Sequence, residues 1–170
     1  VEHVKVAYPG DDHVESYQIL SISLETSEIC PANYHPMPTC SNDYLGFFGK
    51  LVWWSEDNRR AYFIDQERGD QIVRLIEFDT NTGNTQLVFE ETSATHINII
   101  SDVALPLHRF LPKTNELIWW SERTGWGHLY LYDLSNRTLK QIITAGEWRV
   151  RDVLHVDEER RELFIQTGAR

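Results

Sequence analysis

The stretch Leu117–Leu134, LIWWSERTGWGHLYLYDL, holds three tryptophans and two tyrosines in eighteen residues. Two apolar runs, LIWW and LYLY, flank a segment whose Ser, Thr and Gly accept turn geometry. Aromatics at this density suit a stacking surface for sugars or bases, a cofactor box, or strands from a crowded β-core. The surrounding sequence decides between them.

Helical periodicity is almost absent on either side, and strand-length apolar runs recur throughout. KLVWW, AYFID, QIVRLIEFD and TQLVFE are separated by SEDNRR, QERGD and TNTGN, rich in residues that take turn conformations. ELIWWSE, GHLYLYDL, TLKQIIT, RVRDVLHVD and ELFIQT continue the rhythm. Short strands joined by tight turns pair consecutively as antiparallel meanders. Further upstream, SYQILSISLE reads as a strand that is partly apolar on both faces, as if packed between sheets. The stretch from Thr92 to Leu111 carries the weakest pattern and has room for a short helical turn.

The chain also repeats. WWSE occurs at Trp53–Glu56 and at Trp119–Glu122, but the strands that follow the two copies do not correspond. A better alignment lays Tyr62–Val88 on Leu117–Ile142, so that Glu67-Arg68 meets Glu122-Arg123 and Asp79 meets Asp133. Val52–Ile64 overlays Val153–Ile165 without a gap. The first WWSE then ends an inner strand and the second ends the next strand out. The unit is roughly 45–55 residues with about four strands, the pattern of a β-propeller blade. One four-stranded sheet cannot bury two apolar faces alone; stacked blades bury both. The fold class is therefore all-β, a partial β-propeller of four-stranded antiparallel blades. The expected divisions are a partial blade over residues 1–42, blades over 43–90 and 91–145, and a partial blade over 146–170. Trp119, Trp120, Trp126, Tyr130 and Tyr132 are read as filler between blades, with a ligand-stacking role for one or two of them, above all Trp126 in its glycine-flanked turn, as the lesser alternative.

Composition narrows the partners. The 170 residues carry a formal net charge of −10, which excludes nucleic acid or an anionic membrane surface as a main partner. No apolar run approaches the roughly 20 residues of a membrane span. The pattern is already under way at Val4 and still running at Leu163–Ile165, so we expect a piece of a longer protein. Cys30 and Cys40 bracket a proline-rich loop, as a disulfide or as two thiols. With His35 between them the spacing matches no standard zinc site, and neither a metal nor a cofactor is expected.

The run from Ser121 to Tyr132, followed by ITAGEWRVRDVLHVD, resembles the dipeptidyl peptidase IV branch of the prolyl oligopeptidase family. The matching residues are Ser121, Glu122, Arg123, Gly125, Trp126, His128, Leu129, Tyr130 and Tyr132, then Thr144, Gly146, Glu147, Trp148 and Val150. VAYPG at Val6–Gly10 and the stretch from Arg68 to Gly83 give supporting likenesses, and the resemblance covers nearly the whole chain. It implies an eight-bladed propeller over a C-terminal α/β-hydrolase domain, which cuts peptides after a penultimate proline or alanine. The propeller restricts access and helps hold the substrate's N-terminus.

The serine nucleophile of that chemistry sits in Gly-x-Ser-x-Gly, which this sequence does not contain. No catalytic residue is therefore assigned here, and the chain alone is expected to be inactive. The glutamate pair that holds the substrate's ammonium group in the family would lie before Val1. Glu90-Glu91 is read as a solvated turn instead. By resemblance, the connection THINIISDVALPLHRF approaches the substrate pocket. Asp102 is its candidate substrate-binding residue, with a turn-capping role as the plainer alternative, and His96 stands where the family has Trp. Arg109 is expected at the surface beside a carboxylate, and His128 as a hydrogen-bonded structural histidine. Asn136-Arg137-Thr138 is a glycosylation sequon in a hairpin turn, and the DEERRE run at 157–162 a solvated one.

The expected partners are the peptide substrate, the hydrolase domain of the same protein, and a second copy meeting exposed blade faces as a homodimer. A non-enzymatic interaction propeller and a carbohydrate-binding propeller are the alternatives. A periplasmic or secreted location is favoured over a cytoplasmic one.

Overall fold

The computed structural model describes residues 10–14, 16–38, 52–99 and 107–168. Its strands are β1 (Ser16–Tyr17), β2 (Leu20–Ile22), β3 (Ile29–Pro31), β4 (Met37–Pro38), β5 (Val52–Trp54), β6 (Arg60–Gln66) and β7 (Ile72–Asp79). They continue as β8 (Thr85–Thr92), β9 (Arg109–Leu111), β10 (Glu116–Ser121), β11 (His128–Asp133), β12 (Thr138–Ile142), β13 (Val150–Asp157) and β14 (Glu162–Thr167). A 3-10 turn at Pro112–Thr114 joins β9 to β10. Two four-stranded meanders, β5-β6-β7-β8 and β9-β10-β11-β12, are followed by the hairpin β13–β14. The fold is all-β, in blades of a partial propeller.

The overlay read from sequence holds for the order of strands but slips by one residue in register: Arg60 pairs with Asp79 and Glu116 with Asp133, so Tyr62, laid on Leu117, points to the opposite face of its blade. Trp53 lies in the first strand of its meander and Trp119 in the second of its own, so the two WWSE copies are not equivalent. The correspondence of Asp79 with Asp133 has a physical cause. Asp79 Oδ1 accepts from the backbone N–H of Asn81 and Thr82, both at 2.9 Å, and Asp133 Oδ1 accepts from Asn136 N at 3.0 Å. Each aspartate thereby closes the turn that follows its blade's third strand. The left-handed backbone needed there falls on Gly83 in one turn and Arg137 in the other.

Strand alternation sends neighbouring side chains to opposite faces, and each face meets a different neighbour. Tyr62, Ile64, Val73 and Leu75 from the first meander join Leu117, Trp119, Tyr130 and Tyr132 from the second in one core. Ile118, Trp120, Leu129 and Leu131 point the other way, toward Val150 and Val153 of the last hairpin. Ala61, Phe63, Ile76 and Phe78 face Ala32 and Met37 from the N-terminal segment. Trp119 and Trp120, adjacent in sequence, are 1% and 2% exposed on opposite sides of one sheet. They are packing between blades, each worth about 3–5 kcal/mol against truncation to alanine.

SYQILSISLE departs from the expected single strand. The chain changes partner at Gln18-Ile19: Ile19 O accepts from Ala32 N at 2.9 Å, after which β2 pairs with β3, whereas β1 pairs with β4. Leu20 and Ile22 are exposed, so one face of this piece is open. Among the described residues, no helix is long and apolar enough to cross a membrane.

Candidate functional site

The β6–β7 and β10–β11 turns lie at the same end of the blades as the connections β8–β9 and β12–β13. That end is where sequence reasoning places the substrate-facing segment. Asp102 itself lies outside the described residues. The chain leading toward it is anchored: Ile97 N donates to Asp70 O at 2.6 Å, and Gln66 Nε2 donates to Ile97 O at 3.1 Å. His96 stays exposed, with Nδ1 3.6 Å from Asp70. On the far side Leu107 and His108 are buried.

Beneath this end lies a polar knot between the two meanders. Glu91, near the end of β8, accepts from Trp119 Nε1 at 2.9 Å, from Arg123 at 2.8 Å and from the Ser121 hydroxyl. Arg123 also donates to Ser121 Oγ at 2.9 Å and to Tyr132 Oη at 3.1 Å, and its guanidinium lies 4.3 Å from the centre of the Tyr130 ring. Two residues of the Ser-Glu-Arg-x-Gly-Trp run, Ser121 and Arg123, are thus fixed by a carboxylate from the preceding blade. This corrects the reading of Glu90-Glu91 as a solvated turn. Both residues belong to β8, where alternation leaves Glu90 exposed beside Arg74 (2.7 Å) and turns Glu91 inward. A buried carboxylate needs such partners, because an unpaired one is too costly to desolvate. No local signal in the sequence marks this pairing, because the carboxylate that meets Arg123 comes from a different blade.

His108 is buried between aromatic rings, edge-on to Trp53 at 4.9 Å and stacked on Trp119 at 5.7 Å. Burial, helped by the neighbouring Arg109, pushes its pKa down to about 3 and holds it neutral. Arg109 is half-buried, 3.9 Å from Asp152 and donating to Val153 O at 2.7 Å, so it ties β9 to the next hairpin. His128 is a structural histidine, as expected: its ring nitrogens lie 3.1 Å from Thr144 Oγ1 and 2.9 Å from Gly146 O. Trp126 departs from the expected role of filler: it sits on the turn between β10 and β11, outside the packed strands, and is 45% exposed. Cys30 is half-buried in β3, and Cys40 lies outside the described residues. Among the described residues no group of three His, Cys, Asp or Glu side chains is arranged to hold a metal ion. Asn136 caps its turn by donating to Asp133 at 2.8 Å and is exposed.

A family model described as the dipeptidyl peptidase IV N-terminal region matches residues 21–168, the span of both meanders, the hairpin and the knot. The chain belongs to this family. Its fold is similar to that of the crystal structure of Porphyromonas gingivalis dipeptidyl peptidase 4, with a TM-score of 0.69 at 14% identity. That match covers 89% of this chain and 20% of the Porphyromonas protein, so the chain spans about a fifth of its solved relative. The Glu91 knot and the anchored connection fix one end of the two stacked meanders.

Proposed function

We propose that this chain is part of the propeller of a dipeptidyl-peptidase-like serine hydrolase, where it restricts access to the substrate chamber and shapes its wall. The parent protein releases dipeptides from peptide N-termini, with its nucleophile in an α/β-hydrolase domain outside this sequence and the chain itself inactive. The reading rests above all on the family match running unbroken across two stacked blades and the next hairpin. A wall built this way is rigid, because its aromatic fillers and its buried carboxylate tie each blade to the next. Asp102, in the connection at the anchored end, is the proposed point of substrate contact. As a separate polypeptide the chain is proposed to self-associate.

The test uses the full open reading frame. Its product should release dipeptides from Xaa-Pro and Xaa-Ala peptides and lose that activity to a serine-directed inhibitor. Loosening the knot with Glu91→Gln should raise the hydrolysis of long peptides relative to a dipeptidyl anilide, which is too small to be excluded. A full-length protein that cleaves no such substrate defeats the proposal. Unchanged size discrimination in Glu91→Gln defeats the gating part alone.

A further inference from the structure

Trp126 is a large apolar side chain left 45% exposed on a turn that has no freedom to hide it. Gly125 has a φ of +86° and closes the turn through its N–H to Glu122 O at 2.8 Å. Gly127 lies against Trp120, where a Cβ would come within 2.3 Å of the indole. Gly127 O also accepts from Val150 N at 2.8 Å. The Glu91 knot holds Arg123, two residues before Gly125. The indole is therefore presented on a fixed scaffold.

Trp126 lines a cleft of about 380 Å³ together with a second segment, Ala145 to Glu147, from the β12–β13 connection. That segment is fixed too. His128 contacts both Thr144 and the Gly146 carbonyl, and Gly146 has a φ of +131° with Trp148 packed where its Cβ would be. Glu147 is exposed at the mouth of the cleft and has no hydrogen-bond or ion-pair partner among the described residues. The nearby cations are occupied elsewhere: Arg123 by Glu91, Ser121, Tyr132 and the Tyr130 ring, and Arg149 with its guanidinium 5.9 Å from the centre of the Trp120 ring. A cleft lined by both an exposed indole and a carboxylate without a partner among the described residues, in a chain of net charge −10, lacks a cation.

We propose that the cleft between Trp126 and Glu147 receives the lysine or arginine side chain of an extended peptide. The alkyl stem lies on the indole and the charged head reaches the carboxylate, an arrangement that uses both halves of an amphipathic side chain. The choice of a peptide rests on the peptide-handling role proposed above, and the cleft lies at the same end of the blades as the segment containing Asp102.

The test titrates the product of the full open reading frame with two peptides that differ only in carrying lysine or glutamate at one position. The readout is the Trp126 indole N–H signal, identified by its loss in Trp126→Phe. The lysine peptide should shift that signal saturably, and less so as salt is added. Glu147→Gln should weaken binding roughly fivefold, and Trp126→Ala, read by calorimetry, about tenfold. Both side chains are exposed, and Glu147→Lys, which should abolish binding, gives a second variant should Trp126→Ala misfold. Equal shifts from the two peptides, or none at millimolar concentration, overturn the proposal. So does a neutral oligosaccharide that shifts the same signal with Glu147→Gln unaffected, which would make the cleft a sugar platform. Binding without any dipeptide release by the full-length protein would sink the peptidase reading and leave the cleft standing. Dipeptide release without binding would do the reverse.

Discussion

At the scale of single residues, Glu91 and Glu90 separate what burial does to one side chain type. Removing Glu91 strands the Trp119 indole N–H and leaves the Arg123 charge in a half-buried site. Glu91→Ala should therefore cost about 2–4 kcal/mol, below the full cost of breaking a buried pair because Arg123 keeps some water. Glu90→Ala breaks only an exposed contact with Arg74 and should cost about 0–1 kcal/mol. Urea denaturation of the two variants gives the comparison, and equal losses would mean the knot is not the tie between blades. His108 governs the response to acid. Its folded pKa, pushed down to about 3, lies below the ordinary histidine value of about 6.5, so between those values the unfolded chain binds a proton that the folded chain refuses. Stability must then fall as pH drops from about 6.5 toward 3. His108→Phe keeps an aromatic ring between Trp53 and Trp119 and also removes the buried Nε2, which has no hydrogen-bond partner among the described residues. Its melting temperature should decline less than the parent's between neutral pH and pH about 4.5. Below that range Glu116 contributes as well: burial would raise its pKa, but hydrogen bonds from Lys140, Thr114 and Arg161 outweigh that and hold it at about 2.

At the scale of elements, the turns are as specific as the strands. Gly127 has no room for a side chain against the Trp120 ring. Gly127→Ala should cost about 1–3 kcal/mol by overpacking, a loss that Trp120→Leu, by making space, should partly relieve in a double-mutant cycle. Strictly additive losses would show that the two residues do not press on each other. This contact also marks how far the sequence could be read. The meanders were legible because alternation and turn residues are local signals, and Asp79 and Asp133 closed equivalent turns that fixed the repeat. Trp119 and Trp120 were legible as filler because no strand between two sheets has a wet face. Glu91 was not. Its burial depends on Trp119, Ser121 and Arg123, which lie about thirty residues away, and nothing local distinguishes it from Glu90. The break at Gln18-Ile19 was hidden for a similar reason: SYQILSISLE alternates well enough for one strand, and only the hydrogen bonds to Ala32 divide it.

At the scale of the whole molecule, the inner faces of the meanders are covered and the outermost ones are not. Leu154 and Phe164 of the last hairpin are 63% and 56% exposed, and at the other end of the stack Ile22 and Ile29 are 55% and 62% exposed. On the faces that the two meanders turn toward the next blade, Ile64 in the first and Ile118 in the second are buried. A sheet face of this kind is stable in water only when something covers it. The 170-residue chain on its own should therefore associate, blade face to blade face, and its sedimentation coefficient should climb with concentration. Placing charge on one face with Leu154→Glu and Phe164→Glu removes half of the pairing surface without touching a buried contact. That variant should stop at a dimer joined through its remaining face, or stay monomeric if only the hairpin face pairs. A parent chain that sediments as a monomer at high concentration would mean that these faces need no cover, and the argument that each blade is held by its neighbours would then fail for the outermost ones.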